Sequence, residues 1–184
     1  MKKIFIYSLL LALVSTAGCI KNEHKIFEGK EVVEFDATVL NTPNLGVNFP
    51  LMTRVPAYGV AASTAHPLIT RSSGVIKFRV NLVGRQSTSS QSITYRVVTS
   101  TYSATLDIPS GTTARLPAAV GTHFNTSGTL TIPANSSFGE LEITVINPGA
   151  SSTTSRYLVI ELDGNSTFGP SENFKRLGVQ ISQT

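Results

Sequence analysis

Tryptophan is absent from this chain of 184 residues, and cysteine occurs once, at Cys19. Without Trp the best flat platform for stacking on a sugar is missing, and a lone thiol excludes an internal disulfide. Charged residues are only 14% of the chain, and Lys and Arg are scattered, with never more than two in a row. With no basic cluster, nucleic acid is excluded as an expected partner. There is no Gly-x-Ser-x-Gly elbow and no phosphate-binding Gly-x-x-x-x-Gly-Lys loop. The three histidines, His24, His66 and His123, lack the spacing of a helical zinc site. No helical stripe of useful length follows the N-terminal segment. Ser and Thr are abundant instead, and Val, Ile and Thr dominate the segments with regular patterning, a composition that favours pleated sheet. The sequence offers no residue on which to place a catalytic role. A non-enzymatic protein without a cofactor is expected.

The N-terminus carries the most specific signal. Lys2 and Lys3 precede an apolar run from Ile4 to Val14, and small residues lead to Cys19. That run is too short to span a bilayer, which needs about 20 apolar residues, but it has the layout of a secretory signal. Residues Thr16-Ala17-Gly18-Cys19 resemble the lipobox of bacterial lipoproteins, with Thr16 where leucine is commonest in that family. The resemblance implies cleavage before Cys19 and acylation of that residue, which would bind the membrane. Acyl chains contribute about 0.8 kcal/mol per buried methylene, enough in combination for a lasting anchor. Residues 1–18 are therefore read as a signal peptide, and residues 19–31, polar and without periodicity, as a lipidated Cys and flexible tether. Lys2 and Lys3 supply half of the formal net charge of +4, so much of the basic balance belongs to the signal. In Bacteroidetes lipoproteins acidic residues after the cysteine direct export to the cell surface. Glu23 alone stands close to Cys19 here, so the outer membrane is expected and its outer face is favoured over the periplasmic one.

Residues 32–184 are read as a single all-β domain, an antiparallel immunoglobulin-like β-sandwich. The clearest strand is Val75–Val83, with Ile76, Phe78, Val80 and Leu82 on one face and Lys77, Arg79 and Asn81 on the other. Such alternation marks a half-buried antiparallel strand. After a polar turn, Ser92–Thr99 alternates in the same way, and the two are expected to pair as a hairpin. Further strands are predicted at Val32–Val39, Thr105–Ile108, Gly128–Ile132, Gly139–Ile146, Arg156–Leu162 and Leu177–Ser182. A Pro-rich excursion at 41–73 carries Pro43, Pro50, Pro56 and Pro67, which confines any strand there, around Gly46–Leu51 or Tyr58–Ala62, to a sheet edge. Short strands separated by Gly, Pro and Asn turns indicate a sandwich.

The second half of the chain carries a further resemblance. Ala118–Phe124, Gly128–Ala134 and Gly139–Asn147, in that order, resemble the core of a Calx-beta domain. Arg156–Leu162, Gly164 and Ser171–Lys175 before a last strand are similar to uncharacterised Bacteroidetes surface lipoproteins that carry such a sandwich. Calcium-binding members of the Calx-beta family use clustered acidic side chains. His123 and Asn147 stand where acids are frequent in that family, which argues against the ion here.

Candidate chemistry has a plain alternative at each position. Asp163-Gly-Asn-Ser-Thr167 places oxygen side chains at alternate positions, as an EF-hand loop begins, but Phe168 replaces the required glycine, and a turn explains it. Glu140 and Glu142 project from one strand face opposite Leu141 and Ile143, as carboxylates on a solvated face do. Their use as a glycosidase pair would need a cleft. Tyr58, Tyr102 and Phe168, in loops or at strand ends, are candidate contacts for a ligand or partner, and each can equally staple a loop to the core. Asn125, Asn135 and Asn165 match the eukaryotic glycosylation pattern and are read as turn residues. The expected function is a lipid-anchored interaction module of the cell envelope. The resemblance to surface lipoproteins implies an accessory role beside an outer-membrane nutrient importer built from a barrel and a lid lipoprotein. The alternative is carbohydrate binding or adhesion. The Pro-rich excursion is the segment expected to make the partner contact.

Overall fold

The protein is described from a computed structural model that covers residues 29–36, 49–60, 65–98, 116–149 and 154–184. Cys19, Tyr102 and the strand expected at Thr105–Ile108 lie outside these residues. The elements are β1 (Val32–Phe35), β2 (Leu51–Met52), β3 (Val75–Val83), β4 (Gln91–Val97), β5 (Leu116–Pro117), β6 (Phe124–Asn125), β7 (Thr129–Ile132), β8 (Phe138–Val145), β9 (Arg156–Gly164), β10 (Gly169–Pro170) and β11 (Arg176–Ile181). One sheet has five strands in the order β10-β1-β3-β8-β6. The other has six, β2-β11-β9-β4-β7 with β5 beside β9.

The longer strands form where apolar residues alternate. β3 and β8 each bury every second side chain, and the inward set includes Ile76, Phe78, Val80, Leu141 and Ile143. Opposite them, β4, β9 and β11 contribute Ile93, Tyr95, Leu158, Ile160, Leu177 and Val179 to the same core. Two apolar faces meeting in this way make a sandwich, in which each sheet shields the other from water.

The expected hairpin of Val75–Val83 with Ser92–Thr99 does not form. β3 is flanked on both sides by β1 and β8, while β4 pairs with β7 and β9 in the other sheet. With both edges of β3 occupied, the chain crosses over and completes the opposite sheet. The crossing segment is held by its counterpart, the β7–β8 connection, which passes between the sheets in the other direction. Asn135 N–H donates to Ser87 O at 2.7 Å, Leu82 N–H to Ser137 O at 2.7 Å, and Gln86 Nε2 to Ser137 Oγ at 2.7 Å. Asn135 takes the left-handed φ of 56° that this turn requires, a conformation Asn tolerates better than most residues. Asn125, also read as a turn residue, is instead in β6 opposite Thr144.

The sheets meet closely where β7 turns into β8. A Cβ built on Gly139 would lie 2.4 Å from Thr131 O and 3.0 Å from Leu130 Cδ1, so only glycine permits this approach. The Pro-rich segment also differs from expectation. Leu51 does enter a strand, and β2 runs parallel to β11 at the sheet edge, as proline nearby demands. Tyr58, by contrast, starts a turn through Gly59 rather than an edge strand. The segment is not merely added surface: Leu51, Met52 and Ile69 are buried, and Thr70 bridges to Ser182.

Candidate functional site

The outer face of the five-stranded sheet gathers most of the polar chemistry. Register places Glu34 and Phe138 on either side of Asn81, Arg79 opposite Glu140, and Lys77 opposite Glu142. Because side chains two apart share a face, these residues form a flat, ordered array. Lys77 Nζ lies 2.9 Å from Glu140 Oε2 and 3.1 Å from Glu142 Oε1. Hydrogen bonds that Lys77 donates to Glu140 and then to Glu142 raise its pKa above the usual value. The two carboxylates are therefore clamped by a cation on an open face. They do not line a cleft.

Beside them is a cluster of Arg79 with two aromatic rings. The Arg79 guanidinium lies 4.4 Å from the centre of the Tyr58 ring and 4.2 Å from that of Phe138. Cations prefer the electron-rich face of an aromatic ring, and here one guanidinium lies over two rings. Arg79 Nη1 is 3.8 Å from Asp36 Oδ2. The Tyr58 hydroxyl accepts the Arg79 backbone N–H at 2.5 Å, near the end of β1 at Phe35. Burial pushes the Tyr58 phenol up to about 12. Tyr58 thus ties the Pro-rich segment to the outer sheet, and one of its faces is already occupied. The cavity beneath, lined by Phe35, Phe78 and Leu177 with Asp36, Tyr58 and Arg79, measures about 10 Å³. Such a space accommodates about one water and no organic ligand.

The other expected site residues have structural duties. Phe168, a candidate contact, is 3% exposed and packs in the core, so it staples its loop and offers no platform. Asn165 makes that turn: its Oδ1 accepts N–H groups of Thr167 at 2.9 Å and Phe168 at 2.8 Å. Asp163 pairs with Arg96, and Gly164 at φ 77° completes the bend. His123 Nδ1 accepts the Ala119 N–H at 3.0 Å, and burial, reinforced by Arg156, lowers its pKa. Asn147 Oδ1 accepts the Gly149 N–H at 2.9 Å. Among the described residues no group of three His, Cys, Asp or Glu side chains is placed to hold a metal ion.

Phe138 is the residue that strand reading missed. Taking the strand to begin at Gly139 left it unassigned, although its two-residue spacing from Glu140 puts it on the outer face. It is 38% exposed.

No family model matches the chain, and no curated protein resembles it closely in sequence. Solved structures do resemble it in fold. The second Calx-beta domain (CBD2) of Calx superimposes with a TM-score of 0.51 at 10% identity, covering 85% of this chain and 90% of that one. A two-domain protein of unknown function from Bacteroides fragilis gives 0.53 at 8% identity, covering 84% of this chain and 46% of that one. A putative carbohydrate-binding protein from Bacteroides ovatus gives 0.43 at 14% identity, covering 62% and 33%. The chain thus spans less than half the length of these two Bacteroides proteins. At such identities the likeness is one of fold: the protein has an all-β, Calx-beta-like sandwich.

Proposed function

We propose that this protein is a lipid-anchored interaction module of the cell envelope that acts by binding rather than by turnover. The observation that carries this reading is the position of Cys19, the sole cysteine, at the end of a short signal-like run and a short distance before the first strand. A sandwich that starts at Val32 behind a polar tether suits a domain displayed from a bilayer. The finer proposal is an accessory subunit of an outer-membrane nutrient importer. Its contact would involve the Pro-rich segment, where Val60 and Leu68 are 59% and 46% exposed while Leu51, Met52 and Ile69 anchor the segment in the core. Pull-down of the native lipoprotein from detergent-solubilised membranes tests this. Recovery with a barrel protein and its lid supports it, and recovery of the protein alone contradicts it.

A second reading, carbohydrate capture, is favoured by one observation: an aromatic ring, Phe138, is exposed on a flat sheet face among planar polar side chains. Flat aromatic surfaces flanked by amide, carboxylate and guanidinium groups suit sugar rings, which present C–H faces and equatorial hydroxyls.

A further inference from the structure

The carbohydrate reading can be given a location. We propose that the outer face of the five-stranded sheet around Phe138 binds a neutral hexose or pentose ring within a polysaccharide. The C–H face of the sugar would lie on the side of the Phe138 ring away from Arg79, and its hydroxyls would meet Asn81, Glu34, Glu140 and the N–H edge of Arg79. This inference rests on the carbohydrate-capture reading and names its site.

The first argument is preorganisation. Arg79 lies over Phe138 at 4.2 Å and over Tyr58 at 4.4 Å, so the ring is held in place before any ligand arrives. Ser136 fixes the backbone below it, its hydroxyl donating to Phe138 O at 2.8 Å and accepting the Phe138 N–H at 3.2 Å. A platform already immobilised loses little entropy on binding. The second argument is the surrounding chemistry. Asn81 stands opposite Phe138, Glu34 lies across from Asn81, and Glu140 is two residues along β8, all on the same face. Amide, carboxylate and guanidinium groups together offer donors and acceptors in flat arrays, which is what a ring of hydroxyls requires.

Charge and apolar area decide against other occupants. Among the described residues of this face Glu34, Asp36, Glu140 and Glu142 outnumber Lys77 and Arg79, which disfavours an acidic sugar or a phosphate. A protein partner usually needs about 800 Å² on each side, with an apolar centre. Among the described residues the other exposed apolar side chain of this face is Val75, which pairs with Thr144, six residues from Phe138 along β8 and so about 20 Å away. One isolated ring is too little for a protein interface and enough for a sugar.

Affinity electrophoresis of the full-length protein in gels containing a β-glucan, a mannan or a xylan tests the proposal, with polygalacturonate as the acidic counterpart. Retardation by at least one neutral polysaccharide is expected. It should weaken about tenfold or more in Phe138→Ala, weaken less in Asn81→Ala, and persist in Phe138→Tyr. Thermal melting checks that Phe138→Ala, which removes a half-exposed ring, still folds. Retardation that survives Phe138→Ala but is lost in Tyr102→Ala overturns this site and leaves the carbohydrate reading standing. Preference for polygalacturonate overturns the neutral-sugar assignment. No retardation by any of the four overturns both this inference and the carbohydrate reading.

Discussion

The two sheets turn very different faces outward. On the five-stranded sheet, β3 and β8 alternate strictly between buried and open side chains, and the outward residues are Lys77, Arg79, Glu140 and Glu142. On the six-stranded sheet, the central strand β9 is buried on both sides. Tyr157, Val159 and Glu161 point away from the core, yet Val159 is 1% and Glu161 7% exposed. The Pro-rich segment supplies part of this cover. A Cβ built on Gly178, which pairs with Val159, would lie 3.0 Å from the Phe49 ring and 3.0 Å from Leu51 Cδ1. One face is therefore a solvated array able to meet a ligand, and the other is covered over β9 and stays open along β4 and β7. Charge follows the same division. Lys77 bridges two half-exposed carboxylates, whereas the buried Glu161 is held between Arg96 and Arg176.

The comparison breaks most severely at the seam on which both faces depend. Gly139→Ala would drive a methyl group against the Thr131 carbonyl, which belongs to backbone and cannot rotate away. A loss of about 3 kcal/mol is expected in urea unfolding, at the upper end for overpacking. Next in size is the covered strand β9. Glu161→Gln leaves Arg96 and Arg176 without their shared carboxylate, at an expected cost of about 2 kcal/mol. That figure lies below the usual range for broken buried pairs because both guanidiniums reach solvent. The matching change on the open face, Glu140→Gln, should leave the unfolding midpoint unchanged within error, because exposed pairs contribute little. Equal effects of the two substitutions would remove the distinction between the faces.

A smaller effect is expected from pH at the end of the sandwich that holds His123. Burial holds its folded pKa below the ordinary 6.5, so the unfolded chain takes up a proton that the native imidazole refuses. The native state is therefore fully favoured above about 6.5 and loses stability as pH falls from there toward the folded pKa. Protonation would also remove the Nδ1 acceptor used by Ala119 N–H. His123→Asn should flatten the decline in melting temperature between neutral and mildly acidic pH. An unchanged slope would assign that decline to other groups.

Strand positions were legible on both sheets. Strands at Val75–Val83, Thr129–Ile132, Phe138–Val145 and Arg176–Ile181 fall where they were expected, within a residue at either end. Pairing was not legible in the same way. β3 and β4 carry equivalent patterns, and nothing in alternation says whether the chain turns back beside its neighbour or crosses to the other sheet. The two-residue strands β2, β5, β6 and β10 are too short for any period to appear. Outward burial on β9 comes from distant residues such as Phe49, so an apolar run there gives no hint of what covers it. Spacing could not separate the candidate contact Phe168, which is buried, from the unassigned Phe138, which is exposed, since each sits next to a glycine at a turn or strand end. Only the period-2 relation of Phe138 to Glu140 carried that information.

Whichever surface meets the partner, the proposed function depends on display from a membrane, and that depends on Cys19. Metabolic labelling with an alkyne fatty acid, followed by separation of membrane and soluble fractions, tests it directly for the full-length chain and its Cys19→Ala variant. The wild-type protein should carry label and sediment with membranes, while the variant should be unlabelled and released. A wild-type protein that is soluble and unlabelled would contradict the account.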